Sequence, residues 1–429
     1  MYRKFVPLML LVGLLLPAMA VSADGHACDI AAPESSTSVN AIGWTYPIID
    51  FYFGELEGCN EVDNLEVSTQ LLDSGTANSQ IELALASGSG QYGIVMTTQA
   101  SVNSYVDVGW LHPLSDLIEK YQDEYDVADV GGLADMTVDG VIYGIPMERN
   151  TRLLFYRPDL LEKHGIEVPQ TWDDIIAACH VLQDEESILL PFTVNLHAGW
   201  AWRLEFTELM LGLGGKEINE DGTPAFNSEI GVQALEKLVE IVNACMGEEG
   251  LNYSIDDSQT GIATGDIAIV HTWASRAAAM DDPDFSDYVG QIEFAPAPSS
   301  YEGGPYAVTG GTGAGLSIPA VSDVDPEVAF LVIMEALDLG SQVEAAKLGV
   351  VSRTAVAEVA DARYLPAVDA TINGGVTGSQ EPVVSVVYTA IMAQWLPQIM
   401  GGEMSAQELL DAAAEAYTEE ATAQGFIGG

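Results

Sequence analysis

Histidine, cysteine and serine carry out much of the chemistry in proteins, and their spacing in this 429-residue chain fits no familiar reactive site. The six histidines show no His-x-His or His-Glu-x-x-His pattern, and no Cys-x-x-Cys pair occurs, so a zinc site is not expected. The chain also lacks a Gly-x-Ser-x-Gly elbow and a Gly-x-x-x-x-Gly-Lys-Ser/Thr phosphate loop. We therefore expect no catalytic residue, no metal, no cofactor and no enzymatic activity.

The run of glycines from 309 to 315 is the most distinctive local feature. A dinucleotide-binding loop follows a strand and opens a helix, whereas this run precedes the strand-like segment 316–319. Gly310 and Gly311 are better interpreted as a flexible crossing, or as backbone that approaches a ligand closely.

The first residues have the pattern of an export signal. Arg3 and Lys4 precede an apolar run that ends in small residues near position 20, and we expect cleavage after residue 23. A retained membrane anchor is the alternative. Cys28 lies well beyond the apolar run, so a lipid-modified cysteine is not expected. These features predict a free periplasmic protein.

The charge balance excludes several classes of partner. The chain has 64 acidic and only 14 basic residues, which gives a formal net charge of −50. Nucleic acid and anionic lipid are bound through clustered Lys and Arg, and a strongly negative surface repels both. Neither is therefore an expected partner. Self-repulsion at this charge is screened when the Debye length falls to roughly 8 Å, which predicts a saline, marine or halophilic habitat.

The four cysteines permit three pairings in an exported chain. Sequence order favours Cys28 with Cys59 and Cys179 with Cys245. Buried free thiols are the alternative.

The pattern of elements predicts an α/β fold. Strand-like runs at 41–49, 64–71, 92–96, 153–156 and 190–194 alternate with helical segments, including 51–58, 78–87, 172–182, 202–211 and 229–245. Such alternation predicts mostly parallel sheets covered by helices. The length exceeds what one core usually supports, so we expect two lobes.

Several segments resemble, in one consistent order, extracellular solute-binding protein family 1, which includes maltose- and trehalose-type sugar receptors of ABC importers. The similar segments are 139–146 with its Gly-x-x-Tyr-Gly-x-Pro turn, 153–160, 164–174 with Pro-x-Thr-Trp-Asp, 265–274, and 350–353. The resemblance covers about residues 40 to 420. Gly93 and His271-Thr272 depart from the family pattern, which leaves the ligand open.

The resemblance implies the two-lobed periplasmic binding protein fold of type II, with a hinge near 147–148, 309–311 and just after 353. The implied division is a signal peptide at 1–23, lobe I at 24–147 plus 311–358, and lobe II at 148–310 plus 359–429. It also implies a monomer that captures a small carbohydrate and delivers it to permease subunits in the inner membrane.

A sugar receptor needs aromatic faces for stacking and planar polar groups for hydroxyls. Both kinds occur where the proposed strands end. The aromatic candidates are Tyr46, Trp200, Trp202, Trp273 and, on a helix, Tyr388. The polar candidates are Asp73, Thr98, Gln99, Glu148, Arg149 and Arg353. Core packing is the alternative for the aromatic residues, and surface or ion-pair roles are the alternative for the polar ones.

Other functions compete with this reading. Arginine is scarce here and matches carboxylate or phosphate, so Arg149 and Arg353 raise the alternative of an anionic sugar derivative. A secreted polysaccharide hydrolase and an adhesion scaffold are remoter hypotheses.

Overall fold

The computed structural model describes residues 28–428 except 186, 309–312, 361, 380 and 382. The predicted signal peptide and the predicted ligand-contacting pair Gly310 and Gly311 lie outside the described residues. The strands are β1 Thr37–Trp44, β2 Leu65–Leu72, β3 Ile94–Thr97, β4 Thr137–Val138, β5 Val141–Ile142, β6 Ile145–Pro146, β7 Arg152–Tyr156, β8 Leu190–Thr193, β9 Ile267–Trp273, β10 Glu293–Pro296, β11 Tyr306–Val308, β12 Gly315–Ser317 and β13 Gly375–Thr377. The helices are α1 Pro47–Gly58, α2 Ser74–Ser87, α3 Gln99–Asp107, α4 Ser115–Tyr121, α5 Pro158–His164, α6 Trp172–Leu182, α7 Gly199–Gly212, α8 Glu229–Ile241, α9 Gly247–Gly250, α10 Ile255–Thr264, α11 Pro326–Ala336, α12 Leu339–Ala345, α13 Val356–Val359, α14 Leu365–Asn373, α15 Thr389–Trp395 and α16 Ala406–Ala423.

The first sheet has five strands in the order β2-β1-β3-β12-β6. β1 runs parallel to β2 and β3, whereas β12 is antiparallel to both β3 and β6. Helices α1 and α2 pack on it, and α11 and α12 pack on α1. This sheet is the centre of lobe I.

The second sheet has four strands in the order β10-β7-β9-β8. Its β8 and β9 are parallel, but β7 is antiparallel to β9 and β10. Helices α6, α10 and α14 pack against its strands. The expectation of mostly parallel sheets was therefore wrong in detail, because strands such as β7 and β12, which return after a crossing between the sheets, enter in the opposite direction.

Local sequence signals explain most helix starts. Thr171 and Ser405 each form a capping box, with Asp174 and Glu408 respectively. Ser228 accepts a hydrogen bond from the amide of Gly231 and caps α8. Pro47 opens α1 at its first turn. The predicted strand at 41–49 consequently ends at Trp44, and its last residues belong to the helix.

The hydrophobic core is in three parts. One cluster lies under α1 and α11 and continues onto one face of the second sheet through Leu153, Phe155 and Val270. A second cluster covers the opposite face of that sheet, and a third, smaller one lies under α2 and α3. The second sheet is thus buried on both faces, and apolar packing continues from one lobe into the other.

Disulfide bonds join Cys28 to Cys59 and Cys179 to Cys245, the pairing that sequence order favours. The first bond fixes the start of the described chain to the end of α1, and the second joins α6 to the turn after α8. Within the described residues, no helix combines the length and apolar character that a membrane crossing requires.

Three short segments meet between the two sheets. Met147 donates its amide to the carbonyl of Ala314 at 2.9 Å, Arg149 donates to Val350 at 3.3 Å, and Glu148 pairs with Val351 as an isolated bridge. β6 belongs to the first sheet and β7 to the second, so the chain changes sheets between residues 146 and 152.

Candidate functional site

Lobe I presents three loops at one edge of its sheet. β1, β2 and β3 are parallel, so their carboxyl ends lie together, followed by Tyr46, Asp73 and Thr98. Asp73 caps α2 by accepting from the amide of Thr76 at 3.0 Å. Thr98 caps α3 in a reciprocal pair with Ser101. Gln99, the first residue of α3, is half-buried.

Lobe II presents tryptophans at the matching edge of its sheet. β8 and β9 are parallel and lead into Trp200 and Trp273, respectively. The Trp200 side chain is 41% exposed, and Trp273 is half-buried. β7 begins at Arg152 directly opposite Trp273, so the crossing segment at 147–150 reaches the same edge. The carboxyl ends of β8 and β9 and the start of β7 therefore lie at one edge of this sheet.

Glu148 lies where the crossings meet and is 6% exposed. The Tyr46 hydroxyl donates a hydrogen bond to its Oε1, and the amide of Ala314 donates to the same oxygen at 3.2 Å. Gly313 is so close that a Cβ there would lie 2.3 Å from the Glu148 carboxylate. Burial raises the pKa of Glu148 to about 7, against the lowering effect of these two hydrogen bonds. The two predicted site residues Tyr46 and Glu148 are thus brought together.

Arg149 and Arg353 are both committed to contacts within the protein. Arg149 pairs with Asp369 on α14 at 2.8 Å. The Arg353 guanidinium donates to the carbonyls of Leu337 and Tyr125 at 2.7 and 2.9 Å, and it is 4% exposed. Arg353 therefore holds lobe I together, which corrects its prediction as a ligand contact.

Trp202 and Tyr388 are core residues, which corrects a second part of the prediction. Trp202 is 3% exposed and its indole N–H donates to the carbonyl of Leu196 at 3.0 Å. Tyr388 is fully buried, and its hydroxyl is 2.8 Å from that of Thr207. Neither side chain has surface left for a small molecule. Trp202 lies on α7 itself, and Tyr388 contacts that helix through Thr207.

A buried ionic cluster lies behind the Trp273 edge and was missed from sequence. Arg152 forms ion pairs with Glu205 and with Glu208, the latter at 3.3 Å, and its NH2 is 3.0 Å from Nδ1 of His271. Burial, and then the positive charge of Arg152, lower the pKa of His271 to about 3. Trp172 meets the imidazole edge-on, with ring centroids 5.1 Å apart. The cluster ties β7 and β9 to α7.

A sequence signal for this cluster did exist. Glu205 and Glu208 stand three apart in a mainly apolar helical window, and Arg152 begins an apolar strand. Charged residues are almost never fully buried unless they are paired, so such positions indicate an internal ion pair.

The same cluster is the only group in the described part of the chain with the spacing of a metal site. Ligand atoms of Glu205, Glu208 and His271 lie within 4.8 Å of one another. The Arg152 guanidinium, however, already bridges both carboxylates. A cation would have to displace it, so the donor set fits an arginine better than a metal.

Comparison with known proteins now decides the family. The model of the bacterial extracellular solute-binding protein family matches residues 59–333, which is more than half of the chain. This chain is a bacterial extracellular solute-binding protein. The resemblance expected from its motifs is thereby confirmed.

Relatives of this solute-binding protein match it in part. An uncharacterized ABC transporter extracellular-binding protein of Pyrococcus horikoshii is 33% identical over 26% of this chain and 25% of its own length. A probable ABC transporter-binding protein of Deinococcus radiodurans is 26% identical over 46% and 47%. The chain thus spans at most about half the length of these curated relatives.

Solved structures show the same fold over nearly the whole solute-binding protein. A solute-binding protein of Agrobacterium radiobacter K84 in complex with ribitol has a TM-score of 0.72 and 22% identity, covering 90% of this chain and 99% of the other. A maltose-bound protein of T. maritima has a TM-score of 0.71 and 20% identity, covering 89% and 99%. The two-lobed α/β fold is confirmed.

Proposed function

We propose that this solute-binding protein captures a small neutral carbohydrate between its lobes and delivers it to the permease of an ABC importer. Two observations carry the proposal: the hydrogen bond of Tyr46 to Glu148 at the crossings, and the position of Trp200 and Trp273 after or at the carboxyl ends of β8 and β9. Aromatic faces stack on the apolar face of a sugar ring or a polyol chain, and the crossings allow one lobe to close on the other.

The proposal includes the setting of the protein. An exported monomer, cleaved after residue 23 and free in the periplasm of an organism from a saline habitat, accounts for the N-terminal pattern and the strong negative charge. The division into lobe I at 24–147 plus 311–358 and lobe II at 148–310 plus 359–429 is supported by the sheets, since the chain changes sheets between 146 and 152.

The structure favours a neutral ligand over the anionic alternative. Arg149 is held by Asp369, and Arg353 is held by backbone carbonyls. Neither guanidinium is free to neutralise a carboxylate or phosphate. The relatives with bound ribitol and maltose give the choice of first compounds to test.

A thermal-shift screen followed by calorimetry tests the function. A bound sugar should raise the melting temperature by the linkage between binding and folding, and the solute should be recovered unchanged. X-ray scattering with and without the bound sugar should show a decrease in the radius of gyration as the lobes close. A panel of neutral sugars and polyols that leaves the melting temperature unchanged, or a solute that is hydrolysed, would contradict the proposal.

A further inference from the structure

Arg203 on α7 has no hydrogen-bond or ion-pair partner among the residues that the structure describes. Its Nε is buried and makes no hydrogen bond, and no carboxylate of a described residue lies within 4 Å of it. The buried arginines Arg149, Arg152 and Arg353 all have ion pairs, although Nε of Arg149 and of Arg152 also lacks a hydrogen bond. Arg203 thus differs from them although it lies on the same helix as the acids that bind Arg152.

The position of Arg203 places it beside the Trp200 edge. Every residue of α7 is buried except Gly199, Trp200 and Arg203, so the helix reaches solvent only at its first turns. These turns follow the carboxyl end of β8, where ligands collect in open α/β sheets. Trp200 and Arg203 are three residues apart and therefore share one face of the helix.

The surroundings of Arg203 carry negative charge that does not touch it. Burial lowers the pKa of Arg203, and Tyr388, Glu208 and Glu217 oppose that effect. Glu217 accepts a hydrogen bond from the amide of Ser379 at 3.3 Å and packs so tightly on Gly378 that a Cβ there would lie 2.1 Å away. Glu208 and Glu217 thus contribute a negative field at a guanidinium whose buried Nε makes no hydrogen bond to a described residue.

A partly buried guanidinium whose Nε makes no hydrogen bond costs stability, because the lost hydration of that atom is not replaced. Such costs are typical of functional positions, where binding groups are kept at the expense of stability. The planar fork of arginine matches two adjacent oxygen acceptors, as a pair of neighbouring hydroxyls provides. A carboxylate on the ligand would be repelled by the charges of Glu208 and Glu217, so a neutral ligand is favoured.

We propose that Arg203 determines specificity by donating paired hydrogen bonds to two neighbouring hydroxyl groups of a neutral carbohydrate that stacks on Trp200. This inference rests on the proposed function and adds to it the ligand group that is recognised and the residue that recognises it. Glu217 acts as a positioning residue, because it is fixed by the backbone at 378–379 and its charge acts on the guanidinium.

The test uses the full-length protein and the variants Arg203→Met, Arg203→Lys and Arg157→Met. Arg157 is the matched control, since it lies at the far end of β7, bound to Asp159 at 2.7 Å and 3.6 Å above the Tyr288 ring. The probes are ribitol, D-mannitol, maltose, D-tagatose and D-galacturonate, with affinities from calorimetry. Melting temperatures without ligand are measured in parallel.

We expect both Arg203 variants to bind every neutral probe that the wild type binds at least tenfold more weakly, because a charge-assisted pair of hydrogen bonds is lost. Lysine should not restore binding, since it lacks the planar fork. Arg203→Met without ligand should melt no lower than the wild type, whereas Arg157→Met should lower the melting temperature and leave affinity unchanged.

Different failures separate the inference from the function. Equal affinities for the wild type and Arg203→Met, or a lower melting temperature of ligand-free Arg203→Met, would overturn the inference alone. Binding of D-galacturonate only, lost in Arg203→Met, would overturn the neutral-hydroxyl assignment. A wild type that binds no probe would overturn the proposed function and the inference with it.

Discussion

The hydroxyl of Tyr46, which follows the first strand of lobe I, donates a hydrogen bond to the carboxylate of Glu148, which lies in the crossing to lobe II. The contact joins the loop after β1 to the crossing segment 147–150, about which the lobes turn in the proposed function. We call the space between the lobes at this point the candidate crevice. No cation contributes to the pKa of Glu148, which burial raises to about 7. The Glu148 carboxyl is therefore partly protonated near neutral pH.

Glu148 should make stability depend on pH. Its pKa in the folded protein lies above the unfolded value of 4.5, so its favourable contribution is complete below pH 4.5 and is lost as the pH rises through about 7. The shift corresponds to about 3 kcal/mol at most. Glu148→Gln should remove this dependence. Urea unfolding at half-unit steps from pH 4.5 to 8 measures it, and parallel curves for the two proteins would reject the assignment.

His271 should make the protein less stable as the pH falls, which is the opposite of the effect of Glu148. Its pKa of about 3 in the folded protein lies below the unfolded value of 6.5, so the unfolded chain takes up a proton first. The free energy of unfolding should fall as the pH decreases from 6.5 towards 3, by roughly 4 to 5 kcal/mol in total. His271→Asn should flatten this part of the curve. Chemical denaturation of both proteins between pH 3 and 6.5 measures the slope, and equal slopes would contradict the assignment.

Removing Arg152 should strongly destabilise the protein. Arg152→Met leaves the carboxylates of Glu205 and Glu208 buried without their cation, which typically costs about 3 to 5 kcal/mol. Arg363→Met breaks half-exposed pairs with Asp281 and Glu293 and should cost about 1 kcal/mol or less. Chemical denaturation of both variants gives the comparison. Similar losses would mean that the buried cluster is no more important than a surface network.

The two disulfide bonds should stabilise the protein without controlling closure. They close loops with sequence separations of 31 and 66 residues, and each joins parts of the same proposed lobe. Cys179→Ser with Cys245→Ser should lower the free energy of unfolding by about 2 to 4 kcal/mol. The affinity for a bound sugar should not change. A loss of affinity on reduction would show that the bond restrains the crevice.

Elements with strong local signals could be predicted from the sequence, and the details of contact could not. The caps at Thr171, Ser228 and Ser405 mark their helices clearly, and the observed helices begin directly after them. The direction of β7 and β12 depends on where the chain crosses between sheets, which no local pattern records. The sequence alone does not distinguish Trp200 from Trp202, because side-chain direction on a helix depends on where its first turn begins.

That first turn is fixed by Gly199. A Cβ there would lie 1.9 Å from the carbonyl oxygen of Ala393, so only glycine allows α7 to pack against α15. The predicted helix began at Trp202, whereas α7 begins at Gly199. This earlier start turns Trp202 into the core and Trp200 outward.

The two tryptophans provide a matched test of the candidate crevice. Trp200→Ala removes a side chain that is 41% exposed, so it should weaken carbohydrate binding about tenfold, the effect of one lost stacking contact of about 1.4 kcal/mol, while the melting temperature stays within a few degrees. Trp202→Ala removes a buried ring and its hydrogen bond to Leu196, which should cost about 3 to 5 kcal/mol of stability. Calorimetry with the best sugar from the screen and urea unfolding separate the two effects. If Trp200→Ala destabilised the protein as much as Trp202→Ala and left the affinity unchanged, Trp200 would be a packing residue, and the edge of lobe II would have to bind its ligand through Trp273 alone.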